Sequence, residues 1–216
     1  MPNLRNQPNH VKAVIFDYGE VLCHRPTPEE IARLAGFFNL RVDQLPALWE
    51  RDRGAYDRGD LTPGVYWSAL AKDAGVELGP QKLEEIHTLD MEMWSNVNSS
   101  MVEWANQLRS SGMKIGLLSN MHPEMVAHCR KHFSWLKDFD FVTFSGEVRL
   151  IKPDPAIYEH TLRGLGVTAA ESLFLDDREI NIRAAQALGI NAIRFESTEQ
   201  LRSELAASGF STLPAA

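Results

Sequence analysis

Cysteine is nearly missing from this 216-residue chain, which carries only Cys23 and Cys129. Two thiols are too few for a disulfide scaffold, so the expected setting is a reducing compartment, the cytoplasm. Positive charge is in deficit: 22 lysines and arginines face 29 aspartates and glutamates, a formal net charge of -7. That balance repels a polyphosphate backbone, and no basic stripe reverses it locally, so nucleic acid is not an expected partner. Long apolar runs are lacking as well. No segment approaches membrane-spanning length, and residues 1–10 are polar and proline-bearing without the apolar core of a secretory signal, so neither export nor a membrane partner is expected. Repeats and low-complexity tracts are absent. What is present is 44% hydrophobic and 24% charged residues, the make-up of an ordinary globular protein of one or two domains. These patterns carry no information on oligomeric state.

Five short apolar runs, at 11–16, 115–118, 139–144, 173–175 and 192–195, have the length of buried strands. Segments of helical period lie between most of them, for example Met101, Trp104, Ala105 and Leu108, or Ile180, Ala184, Ala187 and Leu188. Such alternation predicts an α/β fold, a Rossmann-like parallel sheet covered by helices. The first two runs are separated by far more chain than one crossover needs. Residues 26–96 show no strand pattern but several helical ones, including Ile31, Leu34, Ala35 and Phe38, and they predict an inserted helical cap (26–96) on a core made of 1–25 and 97–216. Thr62-Pro63 reads as an N-cap followed by proline in the first helical turn. The tail at 211–216 reads as a loose end.

Ligands of open parallel sheets collect beyond the carboxyl ends of the strands. There the chain places Asp17 after the first run, Ser119 and Asn120 after the second, Lys152 beyond the third, and Asp176 and Asp177 at the end of the fourth. Carboxylates from two strand ends can hold a hard cation such as magnesium through oxygen, together with a substrate phosphate. A lysine and a hydroxyl beside them would neutralise and orient phosphoryl oxygens, and a carboxylate not consumed by metal could attack phosphorus.

The residues that carry this reading, Val-Ile-Phe-Asp-Tyr-Gly-Glu-Val-Leu at 14–22, Leu-Leu-Ser-Asn at 117–120, Lys-Pro-Asp-Pro at 152–155 and Phe-Leu-Asp-Asp-Arg-Glu-Ile-Asn at 174–181, resemble in order the four motifs of the haloacid dehalogenase-like hydrolases. The insertion after the first motif is similar to the helical cap of subfamily I. The first motif resembles that of the sugar-phosphate phosphatase branch reading Asp-x-Gly-x-Val. The resemblance implies a magnesium-dependent phosphatase for a small phosphorylated metabolite such as a sugar phosphate, working through an aspartyl phosphate. It assigns Asp17 as nucleophile and metal ligand, the Gly19 carbonyl and Asp177 as further metal ligands, and Asp176 as a ligand directly or through water. Ser119, Asn120 and Lys152 become phosphoryl contacts, and Asn181 the polar residue closing the last loop.

One position departs from that pattern. Where most such phosphatases place a second aspartate two residues after the nucleophile, to protonate the leaving oxygen, this chain has Gly19. General acid-base help is commonly worth about 100- to 10,000-fold, so its loss predicts substrates whose leaving group needs little protonation: anomeric, acyl or aryl phosphates. Glu20 and His24 are weaker replacements. Two other readings compete. A haloacid dehalogenase would need no metal, which the Asp176-Asp177 pair argues against, and Gly19 is compatible with an idle protein that binds a phosphometabolite or a partner. Elsewhere the bland reading is preferred: His128 and His132 as a solvated helix face, Arg51, Arg53 and Arg58 as a salt-bridged surface, and Trp49, Trp67 and Trp94 as core.

Overall fold

The computed structural model describes residues 11–215; the polar stretch at 1–10 lies outside them. All five expected strands form: β1 (Ala13–Phe16), β2 (Lys114–Ser119), β3 (Phe141–Phe144), β4 (Ser172–Asp176) and β5 (Asn191–Arg194). They pair in parallel, in the order β3-β2-β1-β4-β5. The continuous apolar character of β1 follows from burial on both faces, since all four of its residues are buried. Its alternate side chains serve opposite layers. Val14 and Phe16 join Trp104, Leu108, Leu201 and Leu205, whereas Ala13 and Ile15 join Ile157, Tyr158, Phe174 and Ile182.

The chain runs from β1 to β2 and β3 on one side and later adds β4 and β5 on the other, so the order of strands reverses beside β1. This is the switch point at which open α/β sheets hold ligands. Register places Phe16 level with both Leu117 and Leu175, and the Asp17 amide donates to the Leu175 carbonyl at 2.8 Å. The next residue of each strand therefore opens into the same crevice.

After β1, and before the chain returns to the core at Val97, it forms five α-helices: α1 (Pro28–Phe37), α2 (Leu45–Trp49), α3 (Arg53–Asp57), α4 (Pro63–Asp73) and α5 (Pro80–Met93). Their starts are written locally. Thr27 and Glu30 make a reciprocal capping box with Pro28 in the first turn of α1, and Thr62 caps α4 ahead of Pro63. A separate apolar cluster, including Leu34, Phe38, Tyr56, Trp67, Ile86 and Leu89, holds these helices together. The segment leaves and re-enters at one place: Cys23 pairs antiparallel with Val97, and the His24 amide donates to the Asn96 carbonyl at 2.7 Å.

The remaining helices, α6 (Ser99–Ser110), α7 (Pro123–His132), α8 (Ser145–Val148), α9 (Pro155–Leu165), α10 (Glu179–Ala187) and α11 (Thr198–Ala207), cover the sheet. The expected loose end is corrected for its described residues: Trp104 Nε1 donates to the Thr212 carbonyl at 3.1 Å and Pro214 is buried. One close approach shapes the loop after β2. A Cβ on Gly146 would lie 2.7 Å from the Met121 carbonyl oxygen and 2.9 Å from the Pro123 nitrogen, both backbone atoms that cannot swing away. Alanine in place of an exposed helical glycine usually stabilises, but here Gly146→Ala is expected to destabilise by about 1–3 kcal/mol, read as a fall in the urea midpoint.

Candidate active site

Asp17 caps the turn that follows β1. Its carboxylate accepts the Tyr18 amide at 2.7 Å, and the chain then bends through Glu20, which has a left-handed φ of 57°. Lys152 is buried between two carboxylates, with Nζ 2.8 Å from Asp17 Oδ1 and 2.6 Å from Asp176 Oδ2, and it also donates to the Leu118 carbonyl at 3.1 Å. Asn120 fixes the lysine loop. Its amide nitrogen donates to the Lys152 carbonyl at 3.0 Å and its oxygen accepts the Lys152 amide at 2.8 Å. The Asn120 side chain is thus committed to positioning Lys152, rather than free for the phosphoryl contact the sequence suggests. Ser119 has only a long 3.5 Å contact to the Asn120 carbonyl, leaving its hydroxyl available.

The two acidic residues at the end of β4 differ in what they already hold. Asp176 is fully buried and accepts from Lys152, from Asn181 Nδ2, which lies 3.0 Å from both carboxylate oxygens, and from the Arg178 backbone amide at 2.8 Å. Asp177 faces the cavity and is only partly buried. Oxygens of Asp17, Asp176 and Asp177 lie within 4.8 Å of one another, a donor set suited to a hard divalent cation. Burial pushes the Asp17 carboxyl well above its usual range against the opposing pull of Lys152, and the neighbouring Asp176 and Asp177 add to the rise. Burial, then Asp176 and Glu20, push Asp177 up to about 6. For Lys152, burial works against the charge but is outweighed by Asp17 and Asp176, which hold it protonated. The crevice is short of positive charge at its carboxylate end, which a cation would relieve.

A cavity of about 400 Å³ extends from these residues to the inserted helices, whose Ile31, Pro46, Trp49 and Arg53 help to line it. Gly19 and Glu20 line it too, and Glu20 is paired with Arg25 at 2.8 Å. Among the tryptophans Trp67 is fully buried in the core, and Trp49 and Trp94 pack partly buried against the same apolar cluster while also lining the cavity. Arg51 and Arg58 sit on the surface with Asp52, Asp73 and Asp60, as their interleaving predicts. Arg53 does not: its side chain is 15% exposed and pairs with Asp57 at 2.9 Å and Asp90 at 3.5 Å. Its acidic partners lie on α3 and α5 faces turned toward the core, which one-dimensional charge alternation does not reveal. His128 and His132 are neighbours, with ring centroids 4.5 Å apart, but no third ligand among the described residues joins them.

His122 was not singled out by the sequence. It caps α7 through its ring, stacks on Tyr56 with centroids 4.3 Å apart, and approaches Asp90 at 3.4 Å and Glu124 at 3.1 Å. A histidine at a helix start just before proline was the available signal. Burial opposes its charge, but the Asp90 and Glu124 contacts outweigh this and raise its pKa. A raised histidine contributes stability that is complete below the unfolded value of about 6.5 and is lost as pH rises through the folded one. The stability difference between the parent and His122→Phe is therefore expected to narrow above about pH 6.5, measured by urea unfolding across pH.

Strand-end carboxylates at the switch point of a parallel sheet, under a lined cavity, are the layout of an α/β enzyme. The model of the haloacid dehalogenase-like hydrolases matches residues 11–189, and the chain belongs to that family. It is 26% identical to a sesquiterpene phosphatase of Aspergillus oryzae over 83% of this chain and 87% of that one. It is 24% identical to a drimenol cyclase of Aspergillus calidoustus over 90% of this chain, and it spans only 36% of the cyclase. Among solved structures, a family enzyme of Bacteroides thetaiotaomicron in complex with magnesium and inorganic phosphate superposes with a TM-score of 0.67 at 21% identity, covering 86% of this chain and 94% of that one. An L-2-haloacid dehalogenase of Xanthobacter autotrophicus gives 0.65 at 23% identity, covering 91% and 82%. Both share the fold. Among the described residues no helix is long and apolar enough to cross a membrane.

Proposed function

We propose that this chain is a magnesium-dependent phosphatase of a small phosphorylated metabolite. The observation that carries the reading is the meeting of Asp17, Asp176 and Asp177 within 4.8 Å, with Lys152 buried against two of them. Magnesium fits this set of oxygen donors; Asp17, Asp177 and the Gly19 carbonyl would hold it, with Asp176 acting from behind because its oxygens are already engaged. When bound it would supply positive charge to the phosphoryl oxygens. The chain's own residues do the rest. An Asp17 oxygen attacks phosphorus, the bond to the leaving oxygen breaks with its electron pair, and an aspartyl phosphate forms. Water then attacks that phosphorus, releasing inorganic phosphate and restoring Asp17. Lys152 opposes the rise in the Asp17 pKa that burial causes and offsets charge on the transferring group, and the Ser119 hydroxyl orients one of its oxygens.

The helical segment at 26–96 acts in this reading as a cap over the core of 1–25 and 97–216, excluding bulk water. The sesquiterpene phosphatase among the relatives supports phosphate ester chemistry. The dehalogenase reading is the weaker one, because displacing halide from carbon needs no metal, whereas Asp177 completes with Asp17 and Asp176 a set of oxygens suited to a cation. Phosphate release from a metabolite panel, abolished by a chelator and restored by magnesium, is the expected result; halide release from 2-chloropropionate in the presence of the chelator would reverse the choice. Within that experiment Asp177→Asn is expected to raise the half-saturating magnesium concentration roughly tenfold or more while leaving the melting temperature within a few degrees, because Asp177 supports no other buried group.

A further inference from the structure

We propose that the group carried by the substrate's phosphate is apolar and that its leaving oxygen is a weak base; the inference rests on the phosphatase reading above. The apolar part of the cavity lining is built from Ile31, Pro46, Trp49, Trp94, Met121 and Met125. Charged side chains in the same lining are already matched: Glu50 with Arg178 at 3.0 Å, Arg53 with Asp57 at 2.9 Å, and Arg25 with Glu20 at 2.8 Å. Trp94 Nε1 has no hydrogen-bond partner but is sealed from solvent, and Arg53 Nη1, likewise sealed, has Asp90 at 3.5 Å. A sugar entering this space would exchange water for hydrocarbon at most of its hydroxyls and leave them unpaired, whereas an aliphatic or aromatic group would gain by the same transfer.

The second observation concerns the leaving oxygen. A Cβ built on Gly19 would lie in ordinary contact with Trp94, 3.7 Å from its Cζ3, so an indole edge borders the position that carries no acid in this chain. Trp94 is held there by its own backbone, whose carbonyl accepts the Tyr18 hydroxyl at 2.5 Å. The departing group therefore meets a ring edge in place of an acid. A simple alkyl phosphate, which must expel an alkoxide, is a poor match. Two apolar substrates suit the site: an alkyl diphosphate, in which the anhydride P–O bond breaks and its electron pair goes to the alkyl monophosphate, and an aryl phosphate, in which the pair goes to a phenolate. In both, water supplies the oxygen of the phosphate finally released, and its protons pass to the phosphate and the solvent.

The test uses the full-length protein with magnesium. Calorimetric binding of alkylphosphonates of two to ten carbons is expected to tighten roughly fourfold per methylene until the cavity is filled, with Trp49→Ala flattening the series. Glucose 1-phosphate is expected to bind at least tenfold more weakly than hexylphosphonate. A flat series, or tighter binding of the sugar phosphate, overturns the apolar assignment. In turnover, octyl diphosphate and 1-naphthyl phosphate are expected to release phosphate at least a hundredfold faster than octyl phosphate, and their relative rates separate the two sources; equal rates for all three overturn the leaving-group assignment. If no compound, 4-nitrophenyl phosphate included, is hydrolysed, the phosphatase reading has failed, and the phosphonate series still decides whether the cavity selects an apolar group.

Discussion

Replacing Asp17 by asparagine is expected to lower magnesium-supported phosphate release by at least about a thousandfold without unfolding the protein. The amide is isosteric, and its oxygen can still accept the Tyr18 amide and the Lys152 ammonium that the carboxylate accepts now. Lys152 also keeps Asp176 at 2.6 Å, so no buried charge is stranded. What disappears is the nucleophile. A far-ultraviolet spectrum and urea midpoint close to those of the parent, together with equal turnover by both proteins, would remove Asp17 from the mechanism. A single turnover of the parent in oxygen-18 water adds a second check. Attack of water on phosphorus puts the label in phosphate and leaves Asp17 unlabelled, whereas a nucleophile esterified to carbon, as in dehalogenation, takes the label into its own carboxylate.

The second large effect is on stability. Lys152→Met removes the ammonium from between Asp17 and Asp176, two carboxylates that are 6% exposed and fully buried. Breaking a buried ion pair from one side typically costs about 3–5 kcal/mol, because the remaining charge has lost its partner and cannot recover its water. The variant is expected to lose about that much in urea unfolding at pH 7, and to release no detectable phosphate. The sign of the pH dependence follows from Asp17. Burial already raises its pKa, and without Lys152 the largest opposing influence is gone. The folded variant then binds a proton more tightly than the unfolded chain does, so its stability should rise as pH falls from 7 toward 5. A loss that stays constant across that range would mean that the lysine contributes packing and little charge.

Much of the nucleophile's surroundings was legible in the chain because a parallel sheet converts sequence order into place. The order of the strands was not written in the runs ending at Phe16 and Leu175, but residues that follow parallel strands share one edge of the sheet, and the structure makes these two strands neighbours. The expected strand limits shifted by a residue or two, as at 139–144, where the first two residues form an approach and β3 begins at Phe141. Asp176 and Asp177 could not be told apart, since adjacent residues at a strand end point in different directions and their roles depend on which meets Lys152 and Asn181. The cavity wall was less legible still. Arg53 lies in a run of alternating charges that reads as surface, and only the packing of α3 and α5 against the loop after β2 turns it inward. Trp94 follows a helical segment and packs against the apolar cluster around Trp67 while also lining the cavity. Its position over Gly19 depends on the angle at which α5 ends, a property of tertiary packing that local periodicity does not contain.

The side-by-side passage of the outgoing and returning chain at Cys23 and Val97 has an evolutionary consequence. A long insert tethered through two adjacent, hydrogen-bonded points can grow, shrink or be exchanged without altering the spacing of the strands beneath it. Selection can therefore reshape the chamber that chooses among molecules while the distance between Asp17 and Asp177 stays fixed by strand pairing, so that new preferences arise on an unchanged chemical foundation.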